Sequence, residues 1–306
     1  MDLHTFQSLP TDEIAQIVRE RGPGVVVFPI NGTRRWFMLE HGPAAGQDFV
    51  GEYINQVGKR QIELYRMFFD HGVHTLLSPI FGPDILQRGG GYGEFIQRGL
   101  SWCAQDKDFL AFYDAYGVRV RAYGDARRYL ENTPYAHVPD AFDQVAQHTS
   151  AHESHRLFFG LCAHDATETV AEIALRYHQE HGCLPGKREI VKAYYGEYVR
   201  PADLFIGFGP FSAFDMPLIT TGNVDLYFTI APSPYLNVQT LRAILYDHIY
   251  ARAEPEPDYP AMTEADLAAL GHFYRLNQNV VLGTGVQSAR GGIWIPYEEG
   301  YQQLAA

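Results

Sequence analysis

The sequence predicts an α/β fold: a central, mostly parallel six-stranded sheet wrapped by helices, with a C-terminal arm. Two observations predict it. Short apolar runs alternate with stretches of helical periodicity, the pattern of a parallel sheet covered on its faces by helices. One of those runs also ends in Phe28-Pro-Ile-Asn-Gly-Thr-Arg-Arg-Trp-Phe37. A strand leading into glycine and paired arginines, with a helix to follow, is how such a sheet holds an anionic ester.

Taken in order, Gly24 to Ile30 reads as the first strand. Tyr53 to His71 reads as an amphipathic helix, with apolar Ile54, Val57, Ile62, Leu64 and Phe68. His74 to Ile80 is the second strand, Glu94 to Tyr116 is mostly helical, and Val118 to Tyr123 is the third strand. Arg156 to Ala163 is the fourth strand, followed by a helix over Ala166 to His181 that continues over Lys187 to Tyr195. Asp203 to Phe208 and Asp225 to Ile230 complete the sheet, and Asn237 to Arg252 is a long closing helix. Ala253 to Pro260 holds three prolines and three acids, which forbid regular structure. It divides residues 1–252, the catalytic domain, from residues 253–306, a helical arm packing on the same domain or on a partner subunit. Within the arm, Thr263 caps a helix running to Leu276, with Asp266 three residues on.

Composition narrows the function. The net charge is -12 and no Lys/Arg-rich tract exists, which argues against nucleic acid as a partner. An anionic substrate must then be captured by a local basic pocket. With 19 Phe and 20 Tyr the chain is rich in aromatics, which suits an apolar cavity and equally a rigid core. Cys103, Cys162 and Cys183 show no metal or redox spacing and read as reduced core thiols of a cytoplasmic protein. No apolar stretch is long enough to span a membrane, and no leader is expected at Met1.

Gly32 permits a tight turn with close backbone approach, and Arg34 and Arg35 offer planar forks suited to phosphate oxygens. Other constellations carry less. His148, His152 and His155 have metal-like spacing but lie in a polar, loop-like run. His178 with Cys183 has the same standing, and Gly89 to Gly93 is a weak phosphate signal. Neither an Asp-Asp-x-x-Asp nor an Asp-x-Asp-Asp run is present, which argues against a conventional class I metal cluster and against protonation-initiated cyclisation.

With these segments in hand, the chain resembles the cis-prenyltransferase superfamily over about Gly24 to Tyr250. The resemblance rests on Asn31-Gly-Thr-Arg-Arg-Trp36 in the first loop, and on Asp203 to Ile206 and Leu226 to Thr229 as the last two strands. It is closer still to the branch of bacterial diterpene synthases of the tuberculosinol and kolavelool type. That likeness is carried by Gly32 to Phe37, Ser78 to Phe81, Tyr194 to Tyr198, Phe205 to Gly209 and Ile244 to Tyr250. The resemblance implies a bicyclic C20 allylic diphosphate as substrate, made by a class II cyclase as pathway partner, and a homodimer. It implies diphosphate bound by Gly32, Thr33, Arg34 and Arg35, with Asn31, Arg35 and Tyr53 in catalysis.

Two departures refine this. Chain-elongating relatives carry a basic loop after the fifth strand for a second diphosphate, whereas Gly207 to Phe214 here has no basic residue. Two diphosphates repel one another without cations between them, so elongation is rejected. The pocket is expected to use Trp36, Phe37, Tyr92, Phe208, Phe211 and Phe214, whose ring faces attract a carbocation; plain core packing is the other reading of the phenylalanines. Asn31 stands where the superfamily usually has the Asp that coordinates magnesium, so Mg2+ is expected on Asn31 and Asp225 with a weakened protein contribution. The expected reaction is capture of the cation from kolavenyl diphosphate by water, giving an alcohol such as kolavelool. A tuberculosinol-type alcohol, transfer to a nucleoside, and a non-catalytic prenyltransferase-like subunit are the alternatives.

Overall fold

The computed structural model describes residues 1–42, 48–84, 98–252, 258–288 and 293–297. Its centre is a six-stranded sheet whose five pairings are all parallel, in the order β3-β4-β2-β1-β5-β6. The strands are β1 (Val25–Val27), β2 (Thr75–Phe81), β3 (Val118–Tyr123), β4 (His155–Leu161), β5 (Leu204–Phe208) and β6 (Asp225–Thr229). Six strands were expected, and the observed bounds differ by at most a few residues. Side chains alternate between two cores, as the pleat requires. Val26, Leu76, Leu157, Phe159, Leu204 and Ile206 join the larger core, while Val25, Val27, Leu77, Phe158 and Phe205 face the other.

The larger core is roofed by α1 (Leu3–Ser8), α2 (Thr11–Arg21), α4 (Phe49–Asp70), α5 (Trp102–Gln105), α6 (Lys107–Tyr116), α7 (Ala126–Leu130), α8 (Val138–His148) and α11 (Val238–Tyr246). The smaller core lies under α9 (Thr167–His181) and α10 (Lys187–Tyr195). α3 (Thr33–Glu40) stands at the carboxyl end of β1. α4 starts at Asp48, whose carboxylate accepts from the Gly51 N–H, and buries Ile54, Val57, Ile62, Leu64, Tyr65, Phe68 and Phe69.

Several local expectations are corrected. The helix expected over Glu94 to Tyr116 is interrupted at Asp106, whose extended backbone lets its carboxylate accept from Asp108 N–H and restart the chain as α6. Residues 94–97 lie outside the described residues. The histidine run is not all loop: Val138, Ala141, Phe142 and Val145 form a buried stripe, and His148 closes α8. His148 and His152 both face Asp114, while His155 stacks on Phe69 at 4.3 Å, so the three do not converge. Cys103 and Cys162 are buried thiols pushed up to about 12 by burial, but Cys183 is exposed. The closing helix loosens into a π-turn over Asp247–Ala251.

The arm contains α12 (Glu264–Asn277), opened by a full capping box of Thr263 and Asp266, and a small antiparallel pair, β7 (Gly285–Gln287) with β8 (Trp294–Pro296). α12 buries none of its residues and exposes Phe273, Tyr274 and Leu276. Among the described residues no helix is long and apolar enough to cross a membrane.

One buried cation ties the chain's beginning to its end. Arg242 of α11 donates to the carbonyls of Gln7 and Leu9, to Thr11 Oγ1 and to the His71 ring. Burial holds the His71 imidazole below its ordinary range, which keeps its Nε2 free of a proton and able to accept. Arg242→Ala removes all four contacts and leaves two carbonyls underused. We expect a loss of about 3 kcal/mol, read as a lower urea midpoint with unchanged slope.

His74 and His155 are likewise held low, chiefly by burial. The folded chain therefore resists protons that the unfolded chain accepts, and linkage fixes the sign. Stability is expected to fall as pH drops below about 6.5, the ordinary imidazole value, in a urea-midpoint series from neutral to mildly acidic buffer.

Candidate active site

All strands of the sheet point the same way, so the loops after β1, β2, β4 and β5 gather at one edge. They enclose a mouth of about 750 Å³. One lip is the segment Asn31 to Arg35. Asn31 is clamped through its backbone: its N–H donates to Ser233 Oγ at 3.1 Å, and its carbonyl accepts from Ser233 N–H at 3.0 Å. Ser233 is 1% exposed, so this brace is buried. Gly32 then adopts a left-handed backbone, φ +75°, and a Cβ there would sit 2.8 Å from both Phe208 and Pro232. Only glycine makes this turn into α3 without strain.

α3 has an unusual first turn. Its N-cap, Gly32, has no side chain to cap the leading N–H groups, and no acid lies in the first turn. Arg34 and Arg35 occupy that turn instead, although cations there oppose the helix dipole by about 0.3–1 kcal/mol each. Both arginines line the mouth. An anion seated here meets two guanidinium groups at the positive end of a helix. The Arg35 guanidinium lies over the Phe208 ring, 5.4 Å from its centre.

Behind this lip the mouth opens into an inner cleft of about 170 Å³ between α4 and β2. The two spaces share Ile30, Thr33, Arg34, Tyr53, Pro79, Ile80 and Phe81, and are therefore continuous. The cleft's walls combine apolar Ile54, Val57, Leu100 and Trp102 with polar Gln61 and Ser78; Gln61 Oε1 accepts from the Cys103 thiol, and Ser78 is engaged by the Tyr65 hydroxyl. Gly58 of α4 lets Trp102 approach, since a Cβ at that position would lie 2.5 Å from the indole nitrogen. Tyr53 stands at the junction of mouth and cleft, its hydroxyl 2.7 Å from Thr33 Oγ1 and its ring edge-on to Phe37.

The opposite lip carries Asp84, His164, Phe214 and Asp215. Asp215 is one of three non-glycine residues with left-handed backbone, φ 54°, among the described residues. Burial pushes its carboxyl above the ordinary carboxylate range; His164 opposes the rise and Asp84 adds to it. The mouth is thus basic on one side and acidic on the other.

The structure brings together Asn31, Gly32, Thr33, Arg34, Arg35 and Tyr53 from the expected site, with Phe208 against Arg35. It disperses others. Trp36 and Phe37 are buried with Val57, Phe49, Tyr53 and Tyr235, where they brace α3 and do not line the mouth. Phe214 lines the mouth, but Phe211 turns away, stacked on Phe228 at 4.6 Å and edge-on to Trp294 of the arm. Tyr92 lies outside the described residues.

Asp225 is at the wrong edge. It pairs in register with Leu204, the first residue of β5, and lies roughly 13 Å of strand from the mouth end of β6 at about 3.3 Å per residue. Its carboxylate holds His248 at 2.7 Å and Arg252 at 3.1 Å. The pair expected to hold magnesium, Asn31 and Asp225, therefore does not fit one ion. Among the described residues no three His, Cys, Asp or Glu side chains are grouped to hold a metal.

Sequence reasoning missed Ser233, Gly58, Trp102, Asp84, His164 and Asp215. The last three each follow a different strand, and the general rule that ligands sit beyond the carboxyl ends of parallel strands points to such loops.

Fold and site together define an α/β protein that presents two arginines at a helix start, in a mouth that opens into an inner cleft. No protein-family model matches the chain. It is 44% identical over 291 residues to tuberculosinyl adenosine transferase of Mycobacterium tuberculosis, covering 94% of this chain and 96% of that protein. It is 28% identical over 282 residues to (+)-kolavelool synthase of Herpetosiphon aurantiacus, covering 91% of each. Among solved structures, lavandulyl diphosphate synthase of Lavandula x intermedia, in complex with dimethylallyl diphosphate, aligns with a TM-score of 0.59 at 17% identity, over 78% of this chain and 98% of that one. A probable undecaprenyl diphosphate synthase of Campylobacter jejuni aligns with a TM-score of 0.55 at 16% identity, over 77% and 97%. These two share the fold. The chain belongs to the tuberculosinyl adenosine transferase family.

Gly32→Ala tests the lip. We expect a cost of about 2–3 kcal/mol from left-handed strain and the clash with Phe208, seen as a lower melting temperature, together with weakened binding of inorganic diphosphate by calorimetry.

Proposed function

We propose that this protein is an enzyme that ionises a bicyclic C20 allylic diphosphate and lets a neutral nucleophile capture the cation. The observation that carries this reading is Arg34 and Arg35 in the uncapped first turn of α3, opening directly onto an apolar cleft. The 44% identity to an enzyme named for tuberculosinyl transfer supports a diterpenyl substrate. One diphosphate is accommodated: the lip facing the arginines bears Asp84 and Asp215, and a second diphosphate there meets repulsion.

In this reading the diphosphate rests on Arg34, Arg35 and the leading N–H groups of α3, with the hydrocarbon in the cleft under α4. As the allylic C–O bond lengthens, its electron pair moves onto the bridging oxygen. The two guanidinium groups and the helix start are already oriented toward that charge, and fixed donors of this kind lower the barrier most. Thr33 positions the Tyr53 hydroxyl at the boundary between polar mouth and apolar cleft, where the allylic carbon lies. Tyr53 orients the nucleophile there as it approaches the cation.

Water as nucleophile gives an alcohol of the kolavelool or tuberculosinol type, with kolavenyl diphosphate the favoured substrate. Adenosine is the second reading, favoured by the relative named a tuberculosinyl adenosine transferase. Incubation with kolavenyl and tuberculosinyl diphosphates, with and without adenosine, separates the two. Alcohol by gas chromatography supports the first, and a nucleoside adduct by mass spectrometry supports the second. No diphosphate release from either ester overturns the enzymatic reading and favours a non-catalytic subunit.

Arg35→Ala is expected to lower kcat/KM on the order of 100-fold, the scale of losing one preorganised charge partner. Its melting temperature should hold, because Arg35 is exposed and its guanidinium rests on the Phe208 ring.

A further inference from the structure

The mouth is larger than one diphosphate requires. A diphosphate displaces on the order of five waters, roughly 150 Å³ at about 30 Å³ each, whereas the mouth measures about 750 Å³. Across the mouth from the arginine lip stands the lip of Phe214, Asp215, His164 and Asp84, which is opposite in charge.

The loop that carries Asp215 is fixed from beneath. The Tyr123 hydroxyl of β3 donates to the Asp215 carbonyl at 2.8 Å, and the Tyr195 hydroxyl of α10 donates to the Pro217 carbonyl at 2.5 Å. Thr220 Oγ1 donates back to the Met216 carbonyl. Tyr123 and Tyr195 are both buried, and their rings lie 4.8 Å apart. Held this way, Asp215 keeps a left-handed backbone that is costly for a residue with a side chain, and Phe214 beside it packs edge-on to Phe205. A carboxylate placed with this rigidity, across a cavity from a diphosphate lip, is suited to act on a second reactant.

We infer that the lip formed by Phe214, Asp215 and His164 is the acceptor site, that it takes a neutral O–H or N–H nucleophile, and that Asp215 receives the proton this nucleophile sheds. The inference rests on the reading given under Proposed function and assigns the capture step to a residue. When the allylic C–O bond breaks, its electron pair leaves with the diphosphate. A lone pair on the nucleophile's oxygen or nitrogen then forms the new bond to carbon. The nucleophile becomes positively charged as it bonds, and its proton passes to an Asp215 carboxylate oxygen. Phe214 offers a flat face to the nucleophile's skeleton where it has one. The same lip repels anions, which excludes a second prenyl diphosphate from the place where elongating relatives bind one.

The test is product partition in Asp215→Asn, measured on the full chain with the diterpenyl diphosphate that wild type turns over. Released diphosphate counts ionisation events. Alcohol or adduct counts captures, and alkenes count cations that lose a proton from carbon instead. The ratio of captured product to released diphosphate is expected to fall on the order of tenfold or more, with alkenes making up the difference. Asp215→Glu should recover part of it. Asn tolerates left-handed backbone well, and Asp215→Gly, which also removes the carboxyl and relaxes that backbone, should shift the partition in the same direction. An unchanged ratio in both variants overturns the assignment. So does an equal loss of release and capture, which would place Asp215 in ionisation. Failure of the underlying reading is distinct: wild type itself would release no diphosphate.

Discussion

The first turn of α3 sets two positive side chains at the positive end of a helix, and the remainder of the site is arranged around that conflict. By itself the arrangement is unfavourable, since dipole and guanidinium groups repel. It becomes favourable when an anion occupies the turn. Left-handed Gly32, the buried Ser233 brace on Asn31, and the packing of Trp36 and Phe37 beneath the helix all hold the turn in place. None of these residues needs to touch a ligand. Their effect is to prevent the arginines from relaxing away from one another when the site is empty.

The parallel sheet supplies the rest of the geometry. Because β4, β2, β1 and β5 are neighbours that run one way, residues numbered near 31, 80, 164 and 215 meet at a single edge. The same order separates reactive regions. Charged groups collect on the loops, while the deeper space between α4 and β2 is walled by Ile54, Val57, Leu100 and Trp102 with the uncharged polar groups of Gln61 and Ser78. Tyr53 sits on the boundary, tied to Thr33, so one hydroxyl reports to both the charged mouth and the hydrocarbon cleft.

Much of this was legible in the sequence, for identifiable reasons. The strands were readable because runs such as Val25 to Val27 and Leu157 to Leu161 are fully buried and cannot be polar on either face. The arginine lip of the mouth was readable because its residues are contiguous. The opposite lip was not: Asp84, His164 and Asp215 come from three loops, and each alone is an ordinary polar residue. Asp225 was misplaced because its neighbours match a motif while strand direction carries it to the far edge. Phe211 was placed in the pocket because it sits with Phe208 and Phe214 in the loop after the fifth strand, yet its ring found Phe228 and Trp294, a choice made by tertiary packing. α8 escaped notice because its polar end drew attention from the apolar stripe before it.

Gly58 has a consequence for substrate choice. The back wall of the hydrocarbon chamber, Trp102, leans against α4 only because residue 58 has a hydrogen where other amino acids have a carbon. Any larger group would drive the indole forward into the chamber and shorten it. In the proposed function, the length of hydrocarbon that the inner cleft admits is therefore gauged by a single hydrogen at position 58, and relatives with identical arginine lips can differ in substrate range through that one position.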